Sequence, residues 1–383
     1  MMVWQLNNDE AQSAGFDPAR LQRAADMIES AVAQKMVPGA VALVGRRERT
    51  VLELAAGLAV DRPDWQLPMR LDTVFDLASL TKVCATLPAV LALLDRGQIL
   101  LTDPVAAFIP QYGDGLKRKV TVRHLLTHSS GLPAGELLYQ QPTREAARLR
   151  LLEVPLERAP GERVVYSDIG FMLLGEIIER VTGMSLQEYV GDTVFKPLGM
   201  RTARYSPLQP QGEAFPVERR GVAPGERVDA PVYAATEWMK DTGRLTYGAV
   251  HDENAYALGG VAGHAGMFAA ARDVALYARM WATGGGALFA PATVRAAIRR
   301  QTERQDGVRG LGWCLRGDSY DHMGDLWSDG GFGHTGFTGT SIAIDPESGL
   351  WFVLLTNRVH YGRQNDPGRL RRLTHNAVAA ALR

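Results

Sequence analysis

A serine and a lysine stand three residues apart in the stretch LASLTKVCATLPAV, at Ser79 and Lys82. At the start of a helix, this spacing brings both side chains to one face, one turn apart. A serine hydroxyl becomes an effective nucleophile only when a neighbouring base takes its proton. A buried lysine with a lowered pKa can be that base. The pair indicates acyl transfer, and the alternative is a solvated lysine that follows a helix-capping serine.

The scarcity of lysine in the chain favours the interpretation of Ser79 and Lys82 as a nucleophile and its base. Only 6 of the 42 basic residues are lysines, and the other 36 are arginines. Arginine does not release its proton in proteins, so a basic side chain that must act as a base has to be a lysine. One of the few lysines stands where such a base would be needed.

A tyrosine in GERVVYSDIGFMLLGEI is the second candidate, because Tyr166 lies just before a helix that Ser167 or Asp168 can cap. A neighbouring ammonium group favours the phenolate form of tyrosine, which can relay a proton. The alternative is a tyrosine whose ring only packs against its neighbours. The motif alone does not decide between the two.

The glycine-rich stretch GGFGHTGFTG covers residues 330–339, and Gly331, Gly333 and Gly336 match a dinucleotide-binding fingerprint. That fingerprint requires a following helix, but TSIAID and LWFVLLTN, joined by a turn at 345–349, predict a β-hairpin. We therefore expect a strand edge that approaches a ligand closely, where glycine removes an obstructing side chain. A backbone N–H of this edge can join that of the nucleophilic serine to hold an oxyanion.

The elements that must position these residues are distributed unevenly along the chain. An amphipathic helix starts at Asp17-Pro18, two strands follow in GAVALVGRR and TVLELAAG, and strands return after about residue 310 before a terminal helix. Residues 79–300 have mainly helical patterns, with a long irregular excursion over 201–250. We predict an α/β fold with an antiparallel sheet built from both chain ends. Residues 1–78 and 301–383 form an α/β sandwich, 79–300 form an inserted helical domain, and the active site lies between them.

Composition excludes several classes of function. The 42 basic residues balance the 42 acidic ones, so no basic surface for nucleic acid is indicated. No apolar run approaches the roughly 18 residues of a membrane span. Cys84 and Cys314 lack metal-type spacing and are expected to be free thiols, and the eight histidines form no metal-binding motif. We expect no metal, no cofactor and a small-molecule substrate, while nothing in the pattern indicates an oligomeric state.

The first sixteen residues lack a basic stretch followed by an apolar core. This predicts a cytoplasmic protein, and a leader removed before this sequence begins would allow export. GTSIA, at 339–343, is similar to a nucleophile elbow, but it lies at a strand start, so Ser341 is interpreted as an ordinary strand residue.

Three motifs in this order resemble those of the serine β-lactamase and penicillin-binding-protein superfamily: Ser79-x-x-Lys82, Tyr166-Ser-Asp168 and His334-Thr335-Gly336. The class C-like branch, which contains β-lactamases, DD-peptidases and esterases, is the best match, and TVRHLLTHSSGLP and KPLGM are also typical of it. The resemblance spans about residues 20–380 and implies an α/β sandwich with an inserted helical domain. A narrower resemblance, carried by GAVHDENAYALGGVAGHAGMF, GHTGFTGTSIAIDP and LLTNRVH, is to a bacterial subgroup that includes an N-acetylmuramyl-L-alanine amidase.

The resemblance implies a role for each candidate residue. Ser79 is the nucleophile, Lys82 and Tyr166 share the acid/base work, and the N–H groups of Ser79 and Phe337 form the oxyanion hole. The substrate-binding candidates are Asp168, His334, Thr335, Gly336 and His264. The last of these lies in the loop GVAGHAGMF, where a histidine satisfied by backbone groups is the alternative.

Two positions depart from the motifs of the branch. Asp168 stands where asparagine is frequent, and an ionised carboxylate could hold Lys82 charged and transfer the duty of base to Tyr166. His334 stands where enzymes that bind the β-lactam carboxylate commonly have lysine, and a histidine is mostly neutral at pH 7. This argues against efficient β-lactam hydrolysis.

The sequence therefore predicts a serine hydrolase that forms a Ser79 acyl-enzyme with an ester or amide, with peptidoglycan fragments as one expected substrate. Two alternatives remain at this point. One is a class C-like β-lactamase or DD-peptidase, and the other is a non-catalytic module that keeps the binding pocket.

Overall fold

The computed structural model of this 383-residue chain describes residues 3–6, 8–205, 231–286, 288–302 and 306–383. The strands are β1 Val3–Leu6, β2 Gly39–Arg46, β3 Arg49–Arg62, β4 Trp65–Pro68, β5 Val74–Asp76, β6 Arg204–Tyr205, β7 Trp238–Met239, β8 Arg244–Leu245, β9 Met267–Ala270, β10 Cys314–Leu315, β11 Phe332–Thr335, β12 Ser341–Asp345 and β13 Leu350–Thr356. The helices are α1 Asn8–Ser13, α2 Pro18–Ala33, α3 Leu87–Asp95, α4 Val122–Leu126, α5 Arg144–Glu153, α6 Asp168–Thr182, α7 Leu186–Val190, α8 Lys196–Leu198, α9 Glu253–Ala257, α10 Ala271–Ala282, α11 Pro291–Ile298 and α12 Gly368–Ala380. Within these ranges, no helix is both long enough and apolar enough to cross a bilayer.

The main sheet is antiparallel and takes strands from both ends of the chain, as predicted. Its order is β1-β3-β2-β13-β12-β11-β10, with β4 paired to β3. The two chain ends meet where β2 pairs with β13, from Ala40 opposite Thr356 to Arg46 opposite Leu350. The fold class expected from the sequence is confirmed, and the sheet places the glycine-rich strand β11 close to its β10 end.

Helices α2 and α12 cover one face of this sheet. Asp17 caps α2 by accepting hydrogen bonds from the N–H groups of Ala19 and Arg20, and Pro18 occupies its first turn. Leu21, Ala24, Ala25, Ile28 and Ala31 form its buried stripe, and they share one apolar core with strand residues and α12. The two helices predicted near the chain ends, α2 and α12, therefore form the helical layer on this face of the sheet.

Helix α10 packs on the opposite face of the sheet, against β2, β12 and β13. Trp281 of this helix meets Trp313 and Phe332 edge-on, at ring-centroid distances of 5.4 and 5.8 Å. The sequence placed this helix within the inserted segment 79–300, but its packing partners belong to the sheet. The division into 1–78 plus 301–383 and 79–300 stays a prediction.

The segment between the chain ends is mainly helical, around the buried helices α3 and α6. It also contributes a small sheet of order β5-β9-β6, which the sequence did not predict. Of the predicted excursion over 201–250, residues 206–230 lie outside the described residues. The described part contains the two-residue strand β6 and the two-residue strands of a β7–β8 hairpin.

The glycine-rich stretch leads into a hairpin, as predicted, and strand β12 rather than a helix follows it. Ser341 is an ordinary residue of β12, since its buried hydroxyl donates to the carbonyl of Leu354 at 3.2 Å. Gly336 lies so close to the chain before Ser79 that a Cβ atom at this position would overlap the Leu77 carbonyl oxygen and Thr340 Oγ1. Glycine is therefore required by close packing here.

We predict that Gly336→Ala lowers the free energy of unfolding by about 1–3 kcal/mol, because the added methyl group overpacks this contact. Gly135→Ala is the matched control, since a Cβ there meets nothing within 4 Å. Urea unfolding midpoints of both variants test the prediction. Equal midpoints would show that strand β11 does not approach Leu77 closely.

Candidate active site

The loop that carries Ser79 is held in a strained conformation. Ala78, directly before the serine, has φ +46°, which an L side chain rarely adopts. The buried carboxylate of Asp76 braces the loop by accepting hydrogen bonds from the N–H groups of Ala78 at 2.8 Å and His251 at 2.7 Å. Burial raises the pKa of Asp76, although these two hydrogen bonds oppose the shift. The strain and the bracing together fix the direction of the serine side chain.

Lys82 lies directly beneath Ser79 and has no exposed side-chain surface. Its ammonium group donates to Ser79 Oγ at 3.0 Å and to the His264 carbonyl at 3.2 Å, and it lies 2.7 Å from Asp168 Oδ1. Residues 82–86 form a wide π-type turn before α3, a feature frequent at functional sites. The ammonium group is thus surrounded by a hydroxyl, a backbone carbonyl and a carboxylate, in addition to the Tyr166 phenol.

The surroundings of Lys82 keep it charged. Burial lowers the pKa of Lys82, but the Asp168 carboxylate and the Tyr166 phenol outweigh that effect and raise it above its usual value of 10.5. The geometry thus favours the interpretation in which Asp168 holds the lysine charged. A neutral Lys82 acting as the base is disfavoured in this resting arrangement.

Tyr166 lies immediately before α6, whose N-terminus is capped by Ser167. Its phenol is hydrogen-bonded to Lys82 and Ser79, and its ring lies 4.9 Å from Lys82 Nζ. Burial raises the pKa of Tyr166 above its usual value, although Lys82 opposes this. Tyr166 is therefore a neutral phenol in contact with Ser79.

His128 positions Tyr166, and the sequence did not identify it. Its ring packs on the Tyr166 ring at 4.6 Å, and its Nδ1 accepts the N–H of Ser167 at 3.0 Å. Its carbonyl accepts the N–H of Val165 at 2.8 Å, and its own φ is +57°. Burial holds the pKa of His128 well below its usual range, so the ring is neutral. This φ is uncommon for a residue other than glycine, but it is a property of the fold and leaves no signal in the sequence.

Strand β11 forms a wall of a cavity of about 250 Å³. Its lining residues are Ser79, Tyr166, Arg309, Cys314, Tyr320, His334, Thr335, Gly336, Phe337, Arg358, Asp366 and Arg371. The cavity thus contains the nucleophile, the phenol and the His-Thr-Gly motif together. Both cysteines are free, as predicted; both are also buried, and Cys314 contributes to the cavity lining.

His334 is a neutral imidazole. Burial, with the nearby charges of Lys82 and Arg309, lowers the pKa of His334 to about 3. Its Nδ1 lies 2.8 Å from the Thr335 carbonyl, which can only accept, so Nδ1 carries the hydrogen and Nε2 is left as an acceptor. A substrate therefore meets no positive charge at this residue.

Phe337 is tied to the serine loop through its neighbours. Thr338 Oγ1 donates to the Asp76 carbonyl at 2.7 Å, and Thr340 Oγ1 donates to the Leu77 carbonyl at 3.0 Å. The Phe337 ring lies between the His251 ring, at 5.7 Å, and the Arg358 guanidinium, at 4.6 Å. These contacts hold the backbone of Phe337 beside the Ser79 loop, as an oxyanion donor requires.

Asp168 and His264 were predicted to bind substrate, but the described cavity lining includes neither. Asp168 is ion-paired with Lys82, and the His264 side chain is 1% exposed and turned towards Asp252. His264 Nε2 lies 2.8 Å from Asp252 Oδ1, while its carbonyl holds Lys82. In this geometry both residues contact the lysine, and their part in substrate binding stays a prediction.

Three arginines in the lining were missed by the sequence reasoning: Arg309, Arg358 and Arg371. Arg309 is paired with Asp318 at 3.0 Å, and both side chains are buried. Arg371 donates to the Thr340 carbonyl at 3.1 Å. These residues reach the cavity from distant parts of the chain. Arg358 lies in LLTNRVH, which carries the narrower resemblance, whereas no quoted motif contains Arg309 or Arg371.

Comparison with known proteins shows the family of this chain. Residues 24–376 match the family described as Beta-lactamase. A protein of Salmonella typhimurium, named "Putative D-alanyl-D-alanine carboxypeptidase", is 34% identical over 394 aligned positions, which cover 93% of this chain and 86% of the relative. The chain belongs to the β-lactamase family. It is a serine hydrolase of that family.

Solved structures share the fold of this β-lactamase-family protein. The octameric penicillin-binding protein homologue from Pyrococcus abyssi is 22% identical with a TM-score of 0.69, over 92% of this chain and 76% of that one. EstCE1, a hydrolase with promiscuous acyltransferase activity, is 24% identical with a TM-score of 0.70, over 94% of this chain and 99% of that one. Unliganded simvastatin synthase from Aspergillus terreus is 22% identical with a TM-score of 0.68, over 94% of this chain and 98% of that one. At these identities, the likeness concerns the fold alone.

One group in this hydrolase has the composition of a metal site. Ligand atoms of Asp168, Asp252 and His264 lie within 4.8 Å of one another. However, the Lys82 ammonium already lies 2.7 Å from Asp168, and His264 Nε2 is bonded to Asp252. A metal ion would be repelled by the ammonium, so the cluster fits a lysine better than a metal.

We predict that kcat/KM for an uncharged ester stays constant between about pH 5 and pH 9. Across this range, Lys82 and Tyr166 stay protonated because their pKa values are raised, and His334 stays neutral because its pKa is about 3. Initial rates with a p-nitrophenyl ester, with folding checked by circular dichroism at each pH, provide the measurement. A rate that rises sigmoidally near neutral pH would contradict a permanently charged lysine.

Proposed function

We propose that this serine hydrolase cleaves an ester or amide through an acyl-enzyme on Ser79. The observation that carries the proposal is the contact of Ser79 Oγ with Lys82 Nζ at 3.0 Å, with the Tyr166 phenol hydrogen-bonded to both residues. A weak nucleophile, a group able to move its proton and a third group that orients both are the parts that covalent catalysis needs.

In the acylation step, Ser79 Oγ attacks the carbonyl carbon and the scissile bond breaks. The N–H groups of Ser79 and Phe337 stabilise the developing oxyanion. Tyr166 accepts the serine proton while it passes its own proton to the leaving oxygen or nitrogen. This relay never requires a free phenolate, which fits the raised pKa of Tyr166. Lys82 stays an ammonium that orients the serine and stabilises negative charge on the phenol oxygen.

Hydrolysis of the acyl-enzyme uses the same relay in reverse. Water takes the place of the leaving group and gives a proton to Tyr166, which returns its own proton to Ser79 Oγ. Lys82 and Asp168 remain an ion pair throughout, so no net charge enters or leaves the buried site.

Fragments of peptidoglycan, cleaved by an amidase or esterase activity, are the substrate class that we propose. The name of the Salmonella relative and the resemblance to an N-acetylmuramyl-L-alanine amidase subgroup support this class. Arg309 is already paired with Asp318. However, Arg358 and Arg371 outnumber Asp366 in the cavity lining, and this small positive excess suits a substrate with an acidic group. The neutral His334 argues against a specialised β-lactamase, and the Ser79–Lys82–Tyr166 contacts argue against a non-catalytic module.

A substrate screen tests the proposed function. The wild-type enzyme is assayed with p-nitrophenyl butyrate, nitrocefin and muramyl-L-alanyl peptides, and Ser79→Ala is assayed in parallel. We expect hydrolysis of the ester and the muramyl peptides, slower turnover of nitrocefin, and no hydrolysis by the variant. Nitrocefin turnover faster than both others would favour a β-lactamase, and turnover that persists in Ser79→Ala would overturn the proposal.

We predict that Tyr166→Phe lowers kcat/KM for the ester at least about a hundredfold, because it removes the proton relay but keeps the ring packing. Tyr112→Phe is the matched control, since this tyrosine is also buried, its hydroxyl has no hydrogen-bond partner among the described residues, and it does not line the cavity. An effect of equal size in both variants would show that the loss comes from packing, and no loss in Tyr166→Phe would exclude the relay.

A further inference from the structure

A second and larger cavity adjoins the site. This cleft has a volume of about 1070 Å³, against about 250 Å³ for the cavity that contains Ser79. Small-molecule sites commonly have volumes of about 300–1,000 Å³. The nucleophile cavity is therefore small for a whole ligand, whereas the cleft is large enough for one. Most of a large substrate would therefore lie outside the nucleophile cavity.

The two cavities share a wall. Arg358 lines the nucleophile cavity, and the next residue, Val359, lines the cleft. Phe337, the candidate oxyanion donor, stacks on His251, and His251 Nε2 lies 3.0 Å from Glu237 Oε2, which lines the cleft. These contacts run from the nucleophile cavity to the cleft, so a substrate that occupied both would pass Phe337.

Aromatic rings are one of the two chemical features of the cleft. Tyr139 and Tyr361 line it with side chains that are 36% and 38% exposed. Trp238 also lines it, and its ring is fixed by the Arg62 guanidinium at 3.9 Å. Such rings offer flat apolar faces together with polar edges.

Charged groups of both signs are the other feature. Among the described residues, four cationic side chains and three carboxylates line the cleft, so its charge is nearly balanced. Arg363 is ion-paired with Glu237 at 2.8 Å and also with Glu253, which fixes these hydrogen-bonding groups in place. A balanced set of rigid donors and acceptors suits an uncharged ligand rich in hydroxyl and amide groups.

We propose that this cleft binds a saccharide part of the substrate. A pyranose ring has an apolar C–H face that matches the aromatic rings, and its hydroxyl groups match the fixed carboxylates and guanidinium groups. An extended peptide fits less well, because peptides commonly add to a strand edge and the longest strand segment in the lining is the two residues of β7. The inference rests on the proposed function only in that the saccharide belongs to the molecule cleaved at Ser79.

The test measures binding to a protein that cannot acylate. Ser79→Ala is titrated in a calorimeter with the disaccharide of N-acetylglucosamine and, separately, with a tripeptide of alanine. The same titrations use Ser79→Ala combined with Trp238→Ala, with Tyr139→Ala, or with Leu326→Ala as the control. Leu326 is 57% exposed and lies beside α12, outside the cleft lining. Circular dichroism verifies the fold of each variant, and Tyr139→Ala replaces Trp238→Ala if the latter does not fold.

We expect saturable disaccharide binding that Trp238→Ala weakens at least tenfold and Leu326→Ala changes less than twofold. The absence of saturable binding, an equal loss in the control, or binding of the tripeptide in place of the disaccharide would overturn the inference. Because Ser79 is absent from every protein titrated, these outcomes do not depend on whether it is the nucleophile.

Discussion

The ion pair between Lys82 and Asp168 is the constraint on which the rest of the site depends. Lys82 has no exposed side-chain surface, and a buried ammonium without a partner would cost several kcal/mol. The lysine follows the strained serine loop, the carboxylate begins α6, and the carbonyl of His264 comes from the loop before β9. Satisfying one buried charge therefore fixes three separate segments relative to one another, and the nucleophile lies on one of them.

In the mechanism that we propose, the same ion pair decides how the proton moves. A lysine held as an ammonium is a poor base, whereas a neutral phenol that contacts both the lysine and the serine can exchange one proton for another. The His128 ring packs on the Tyr166 ring. Because His128 is buried and neutral, it adds no charge beside the phenol. With Asp168 in place of asparagine, the proposed role of base thus passes from Lys82 to Tyr166, while the residues keep their positions in the motifs.

Much of this arrangement could be predicted from the sequence, because it depends on local patterns. The capped helix α2, the β12–β13 hairpin and the Ser79–Lys82 pair each follow from residues close together in the chain. The hydrogen bond from the His251 N–H to the Asp76 carboxylate joins residues 175 positions apart, so no local sequence pattern indicates it. For the same reason, the packing of α10 on the sheet could not be foreseen. The contact of His264 with Asp252 joins residues only 12 positions apart, but no helix or strand periodicity relates them.

The account depends most directly on Ser79 being the nucleophile. The measurement is the mass of the intact protein, followed by peptide mapping, after treatment with a fluorophosphonate, while hydrolysis of a p-nitrophenyl ester is monitored in the same sample. We expect one adduct per chain, on the peptide that contains Ser79, and loss of ester hydrolysis in proportion to it. Ester hydrolysis that continues without an adduct, or an adduct on another residue such as Ser341, would contradict the account.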